Sequence, residues 1–177
     1  MPSALTEARR PVLLVTGGSR GIGAEVVRGA ARAGYSVAIN YRREASAAQA
    51  LCAEVEALGG QAMAVQADVL SPVALVALRE AVVDRFGGVD ILVNGAGGAR
   101  PDATTSADLS FFDLPEDAVR HVMDLNFLGT FFPCQVFGRL LAEKVSACVV
   151  IGGQTAPCSE QGEGYGGRYP GIVEEAW

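Results

Sequence analysis

The chain has 177 residues, 50% of them hydrophobic and 19% charged, a balance that suits one domain with a sizeable core and excludes a disordered chain. Its formal net charge of −6 and pI near 4.8 argue against a broad nucleic-acid footprint, because gripping a phosphate backbone needs a basic face. No apolar run approaches the ~18 residues that cross a bilayer, and the N-terminus carries no apolar stretch of a secretory signal, so the sequence reads as cytoplasmic.

Taken in chain order, short apolar runs alternate with amphipathic stretches, the pattern of βαβ units around a parallel sheet. Residues 11–16 (PVLLVT) read as a buried strand, and a helix follows from about Gly23 to Ala33. Residues 36–41 (SVAINY) form the second strand, and a helix over about 45–58 aligns Ala48, Leu51, Val55 and Leu58 on one face. Residues 61–66 (QAMAVQ) are the third strand. Ser71-Pro72 then joins an N-cap side chain to a proline at the first helical position, where its missing N–H is harmless, and that helix points Leu75, Leu78 and Val82 inward. Residues 90–94 (DILVN) are the fourth strand, and 99–110 form a polar loop with no period. The longest helix starts at Leu114-Pro115-Glu116 and runs to about Lys144, and residues 147–151 (ACVVI) form a fifth strand.

The turn between the first strand and the first helix, Thr16-Gly17-Gly18-Ser19-Arg20-Gly21-Ile22-Gly23, has glycine where a chain turns tightly, approaches a pyrophosphate and packs helix against strand. The helix N-terminus behind it offers free N–H groups and a positive dipole end. The end of the second strand bears on which cofactor is held. Folds that take NAD usually carry an Asp or Glu there for the ribose 2′-OH, whereas this strand ends Asn40-Tyr41-Arg42-Arg43, with no carboxylate before Glu44. Arg42 and Arg20 are suited to grip a 2′-phosphate by charge-assisted hydrogen bonds. The reading is NADP(H) ahead of NAD(H), on an α/β fold with a Rossmann-like, doubly wound parallel sheet in three αβα layers. Residues 1–151 form the dinucleotide-binding domain. Residues 152–177 show no amphipathic period and read as a divergent tail of loop or disorder, which leaves the C-terminal part of the fold incomplete.

These motifs resemble those of the short-chain dehydrogenase/reductase family over roughly residues 11–151. Residues 16–23 fit its T-G-x-x-x-G-x-G turn, and Ala67-Asp68-Val69 resembles the segment with its adenine-contacting Asp. Asn94-Gly95-Ala96-Gly97 resembles its N-N-A-G segment, with Gly95 where the family usually has Asn, and Asn126 matches its catalytic asparagine on the long helix. The resemblance implies cofactor contacts from Gly17, Ser19, Arg20, Gly21, Ile22, Gly23, Tyr41, Arg42, Asp68, Val69, Asn94, Ala96 and Gly97. It implies hydride transfer between a nicotinamide and a small carbonyl or alcohol substrate, and it implies a homo-oligomer formed through the 115–144 helix.

The family's acid is the Tyr of Y-x-x-x-K, assisted by a Ser at the end of strand five and by an asparagine that helps hold a proton-relay water. Tyr165 lies at a suitable distance from strand five, but Tyr169 stands four residues on, and Lys144 is the chain's only lysine. After strand five the sequence offers Gln154 or Thr155 in place of the serine. The candidate catalytic residues are therefore Asn126 and Tyr165. Two readings stay open beside an active NADP(H)-dependent reductase: a catalytically inactive cofactor-binding pseudoenzyme, and a fragment truncated or frame-shifted after strand five. No cluster of His, Cys and Asp has metal spacing. His121, the only histidine, reads as a partly buried or solvated helical side chain, and the phenylalanines around the long helix read as core or as a partner-helix face.

Overall fold

The computed structural model describes residues 9–143 and 148–151. Strands β1 (Val12–Thr16), β2 (Ser36–Tyr41), β3 (Gln61–Gln66), β4 (Ile91–Asn94) and β5 (Cys148–Ile151) form one parallel sheet in the order β3-β2-β1-β4-β5. Helices α1 (Gly21–Arg32), α2 (Ala45–Ala57), α3 (Pro72–Phe86), α4 (Glu116–Met123) and α5 (Gly129–Ala142) connect them. The result is a Rossmann-like αβα arrangement.

A strand inside a parallel sheet has helices on both faces, and its side chains alternate between them, so it must be apolar throughout. Every residue of β1 is accordingly buried. Val12 and Leu14 join one cluster with Leu75, Leu78 and Val82 of α3 and Phe137 and Leu141 of α5. Leu13 and Val15 join the other with Val27 and Ala30 of α1 and Leu51 and Val55 of α2. Local signals mark the element ends. Ser71 Oγ accepts from Ala74 N at 3.3 Å, as its N-cap position demands, and α3 stops at Gly87 with φ at +79°. At the end of the sheet away from the β1–α1 turn, Asp90 Oδ2 accepts from Val12 N at 2.7 Å while Arg9 Nη2 reaches both Asp90 oxygens at 2.8 Å.

The long helix is not one uniform helix. Residues Asp124–Leu128 form a π-helical turn between α4 and α5, with the Gly129 N–H bonded to the Asp124 carbonyl five residues back. Pro133 lies inside α5, where it has no N–H for the Gly129 carbonyl. The polar loop over 99–110 also contains structure, a 3₁₀ turn at Pro101–Ala103, and a second follows at Phe111–Asp113, where Ser110 Oγ accepts from Phe112 N at 3.2 Å. The phenylalanines divide between both readings: Phe137 is wholly buried, whereas Phe111, Phe112, Phe127 and Phe131 are exposed. Phe127 and Phe131 stack with centroids 6.2 Å apart. No described helix is long and apolar enough to cross a membrane.

Candidate functional site

β1 pairs with β2 on one side and β4 on the other, with Thr16 level with Asn94. The chain therefore leaves β1 and β4 in diverging directions, and a crevice opens beyond their carboxyl ends, where open α/β sheets hold ligands. The crevice is a cleft of about 990 Å³, at the upper end of the sizes of small-molecule and cofactor sites. One wall is the β1–α1 turn, the floor is Ala67, Val69 and Val93, and the far wall is Gly95–Arg100 with His121 and Leu125.

The turn's glycines are required by contact. Gly17 has φ at +63°, and a Cβ there would meet Ala96 Cα at 2.8 Å, while a Cβ on Gly23 would meet the Gly17 carbonyl at 2.7 Å. The turn is braced by two buried polar side chains. Thr16 Oγ1 accepts from Gly95 N at 3.1 Å and from Ala96 N at 3.2 Å, which ties the first turn to the one after β4. Asn40 lends Oδ1 to Gly17 N at 3.4 Å and donates from Nδ2 to the Ala67 carbonyl at 3.0 Å, so it links β1, β2 and the end of β3.

Helix α1 begins without a side-chain cap and without an acidic residue in its first turn, which leaves its leading N–H groups and its positive dipole end toward the cleft. Ile22, in that first turn, is 70% exposed on the cleft wall. Arg20, Arg42 and Arg43 line the same end, with Glu44 as the one carboxylate among the described lining residues. Arg42 Nε lies 3.0 Å from Asp68 Oδ2. Such a set could hold the phosphates of a dinucleotide.

At the other end, Asn126 sits in the π turn with its side chain spent on backbone. Its Nδ2 donates to the Gly98 carbonyl at 2.9 Å and the Val122 carbonyl at 2.7 Å, and its Oδ1 accepts from Gly98 N at 3.1 Å. The amide thus clamps the loop after β4 onto the helix. Arg100, at the cleft edge, is paired with Asp102, and the hydrogen bond from Arg100 holds the Asp102 carboxyl below the usual carboxylate range.

The family model described as short chain dehydrogenase matches residues 11–159. The chain belongs to the short-chain dehydrogenase family. It is 40% identical over 145 residues to an uncharacterized oxidoreductase, UxuB, of Bacillus subtilis, covering 77% of this chain and 52% of that protein. A putative D-mannonate oxidoreductase of Haemophilus influenza, solved with bound NAD, superimposes with a TM-score of 0.69 at 27% identity, over 74% of this chain and 50% of that one. A short chain dehydrogenase of Burkholderia cenocepacia in complex with NADP gives 0.65 at 40% identity, over 75% and 51%. The chain spans about half the length of these relatives.

Of the residues to which short-chain dehydrogenase motifs point, Gly17, Ser19, Arg20, Gly21, Ile22, Gly23, Tyr41, Arg42, Val69, Ala96 and Gly97 line the cleft together. Asp68 stands behind Arg42 rather than on the lining. Asn94 is fully buried below it, with Nδ2 3.4 Å from Cys134 Sγ. Tyr165 lies outside the described residues. At Gly95, the departure from the family's N-N-A-G, the N–H donates to Thr16 and a Cβ would meet the Thr16 carbonyl at 2.8 Å. A side chain here would require the turns after β1 and β4 to shift.

Sequence reasoning did not single out Thr16 and Asn40 as braces, nor Arg100 and His121 as cleft residues. For Asn40 a signal existed, a polar residue in an otherwise apolar buried strand. Replacing Thr16 by valine keeps the shape but deprives the part-buried Ala96 N of its acceptor, and the loss of such a hydrogen bond costs about 0.5–1.5 kcal/mol. Urea unfolding of Thr16→Val should show a loss of that size, and an unchanged midpoint would contradict the bracing role.

Proposed function

We propose that this chain is an NADP(H)-dependent oxidoreductase module of the short-chain dehydrogenase type, acting on a small ketone or alcohol. The observation that carries the cofactor choice is the arginine cluster at the end of β2: Arg20, Arg42 and Arg43 line the cleft where an NAD-preferring site would have an acid on the strand end. The uncapped start of α1 and the turn with no room for side chains at Gly17 and Gly23 fit a pyrophosphate. Exposed Ile22 offers apolar cover above that turn. In this reading Ser19, Gly21 and Ile22 of the turn, Tyr41 beside the arginines, Val69 after β3, and Ala96 and Gly97 after β4 line the cofactor site, with Asp68 behind Arg42 and Asn94, the last residue of β4, supporting it from below. When bound, the nicotinamide exchanges a hydride with the carbonyl or carbinol carbon.

The chain's own residues divide the remaining work. Asn126 holds Gly98 and so fixes the loop that bounds the nicotinamide end. Its amide is engaged by backbone, and its backbone carbonyl accepts from Thr130 Oγ1 at 3.3 Å with a second lone pair left for a relay water. Tyr165 is the candidate acid, with Tyr169 where the family's lysine would stand. That substitution favours a second reading, a cofactor-binding pseudoenzyme or a fragment without turnover. Exposed Met123, Phe127 and Phe131 on the α4–α5 helix support self-association through that face.

Calorimetry with NADPH and NADH tests the cofactor assignment. NADPH should bind more tightly, and Arg42→Asp should reverse the preference by removing a charge-assisted contact of about 1.5–3 kcal/mol. Equal affinity of the unaltered chain for both cofactors would refute it.

A further inference from the structure

Asp68 follows β3 by two residues and meets one backbone donor and one cation. Its Oδ1 accepts from Leu70 N at 3.0 Å, closing a local turn that fixes the carboxylate against the sheet. Its Oδ2 lies 3.0 Å from Arg42 Nε. The Arg42 backbone is tied to the same strand, because Gln66 Nε2 donates to the Arg42 carbonyl at 2.9 Å. Arg42 is thus held at its main chain by a hydrogen bond and ion-paired on its Nε side. A guanidinium ion-paired on its Nε side still has four N–H bonds on its two terminal nitrogens, the fork that recognises phosphate. Among the described residues neither Arg20 nor Arg43 makes an ion pair, so of the three arginines at this end of the cleft Arg42 is the one whose direction is set in advance.

The pair is half-exposed, with 43% of the Arg42 side chain and 35% of the Asp68 side chain accessible, so its weight in overall stability is small. Its effect is on direction. A free arginine loses much rotamer freedom when it grips a ligand, and one already oriented loses less. We propose that Asp68 is a positioning residue that sets the preference for 2′-phosphorylated adenosine by orienting Arg42. This rests on the reading of the β2-end arginines as a 2′-phosphate site.

Two simpler roles predict different behaviour. A contact from Asp68 to adenine would act equally on ligands with and without the 2′-phosphate. A carboxylate acting only through its charge would repel the phosphate, so its removal would raise the preference.

The test is calorimetric binding of 2′,5′-ADP and 5′-AMP to the full 177-residue chain and to Asp68→Asn, Asp68→Glu, Arg42→Ala and the Asp68→Asn/Arg42→Ala double variant. Asparagine keeps an oxygen for Leu70 N, so the turn survives while the ion pair is lost. The ratio of the two affinities should fall about two- to fivefold in Asp68→Asn, the range of an exposed ion pair. It should recover in part in Asp68→Glu and should not fall further in the double variant than in Arg42→Ala. Equal weakening of both ligands, or a raised ratio, overturns the proposal. Failure of Asp68 alone appears as a wild-type preference that Arg42→Ala abolishes and Asp68→Asn retains. A wild-type chain with no preference refutes the 2′-phosphate site itself, and the proposal with it.

Discussion

NADPH oxidation by the 177-residue chain, assayed against ketones and sugar acids, should run about 10²–10⁴-fold below that of a relative carrying the full Ser and Y-x-x-x-K set. In the proposed function the cleft residues of the β1–α1 turn, the β2 end and the β4 turn hold a cofactor, and they include no lysine to activate a tyrosine. Asn126 spends its amide on Gly98 and Val122. A phenol with an ordinary pKa near 10 is a poor acid at neutral pH, and Tyr165 has no lysine four residues on to lower it. Holding the two reactants together leaves some rate in its own right, so the expected result is slow turnover rather than none. The comparison should include Tyr165→Phe, which should change little. Fast turnover that disappears with Tyr165→Phe would show that another group activates this tyrosine, and would remove the case for a pseudoenzyme.

Gly17→Ala should destabilise the fold by about 2–6 kcal/mol and abolish NADPH binding. Two costs add at this position. An alanine must adopt φ near +63°, which costs about 1–3 kcal/mol. Its methyl must also sit 2.8 Å from Ala96 Cα, and because the obstacle is backbone it can yield only by parting the two turns, at about 1–3 kcal/mol more. Gly21→Ala separates the two costs. Gly21 has φ at +55° with nothing within 4 Å of its Cβ, so it should lose only about 1–2 kcal/mol. Urea midpoints of the two variants decide the matter: equal losses would mean that the contact with Ala96 carries no weight. Cofactor binding should follow the same order, since only the Gly17 change alters the spacing of the cleft walls.

The alternation of elements was legible because each β strand between two helical layers must be apolar on both faces, and each helix must keep one apolar stripe. That is why 36–41 and 61–66 are read as β2 and β3 with the same bounds, and why Ser71-Pro72 marks the start of α3. The glycine turn was legible for the same kind of reason, since glycine is the residue that tolerates the φ values and close approaches found at 17, 21 and 23. The acid-free strand end before Arg42 is likewise a property of the chain order. These features depend on residues close together in sequence.

The tertiary structure decided what depends on residues brought together from far apart. Thr16 meets Gly95 and Ala96 across 79 and 80 positions, and Asn126 meets Gly98 across 28. The π turn at Asp124–Leu128 carries no compositional mark. An apolar periodicity cannot tell a four-residue bond from a five-residue one, yet that extra residue sits in the turn from which Asn126 reaches Gly98. His121 and Arg100 reach the cleft wall because α4 and the loop after β4 pack side by side there. Asp68 became a partner of Arg42 because β2 and β3 run parallel in register and bring their ends together. Sequence determines which segments are strands, helices and tight turns, because those follow from local backbone and burial preferences. Only packing decides which of their ends converge, because that depends on the register and direction in which distant segments meet.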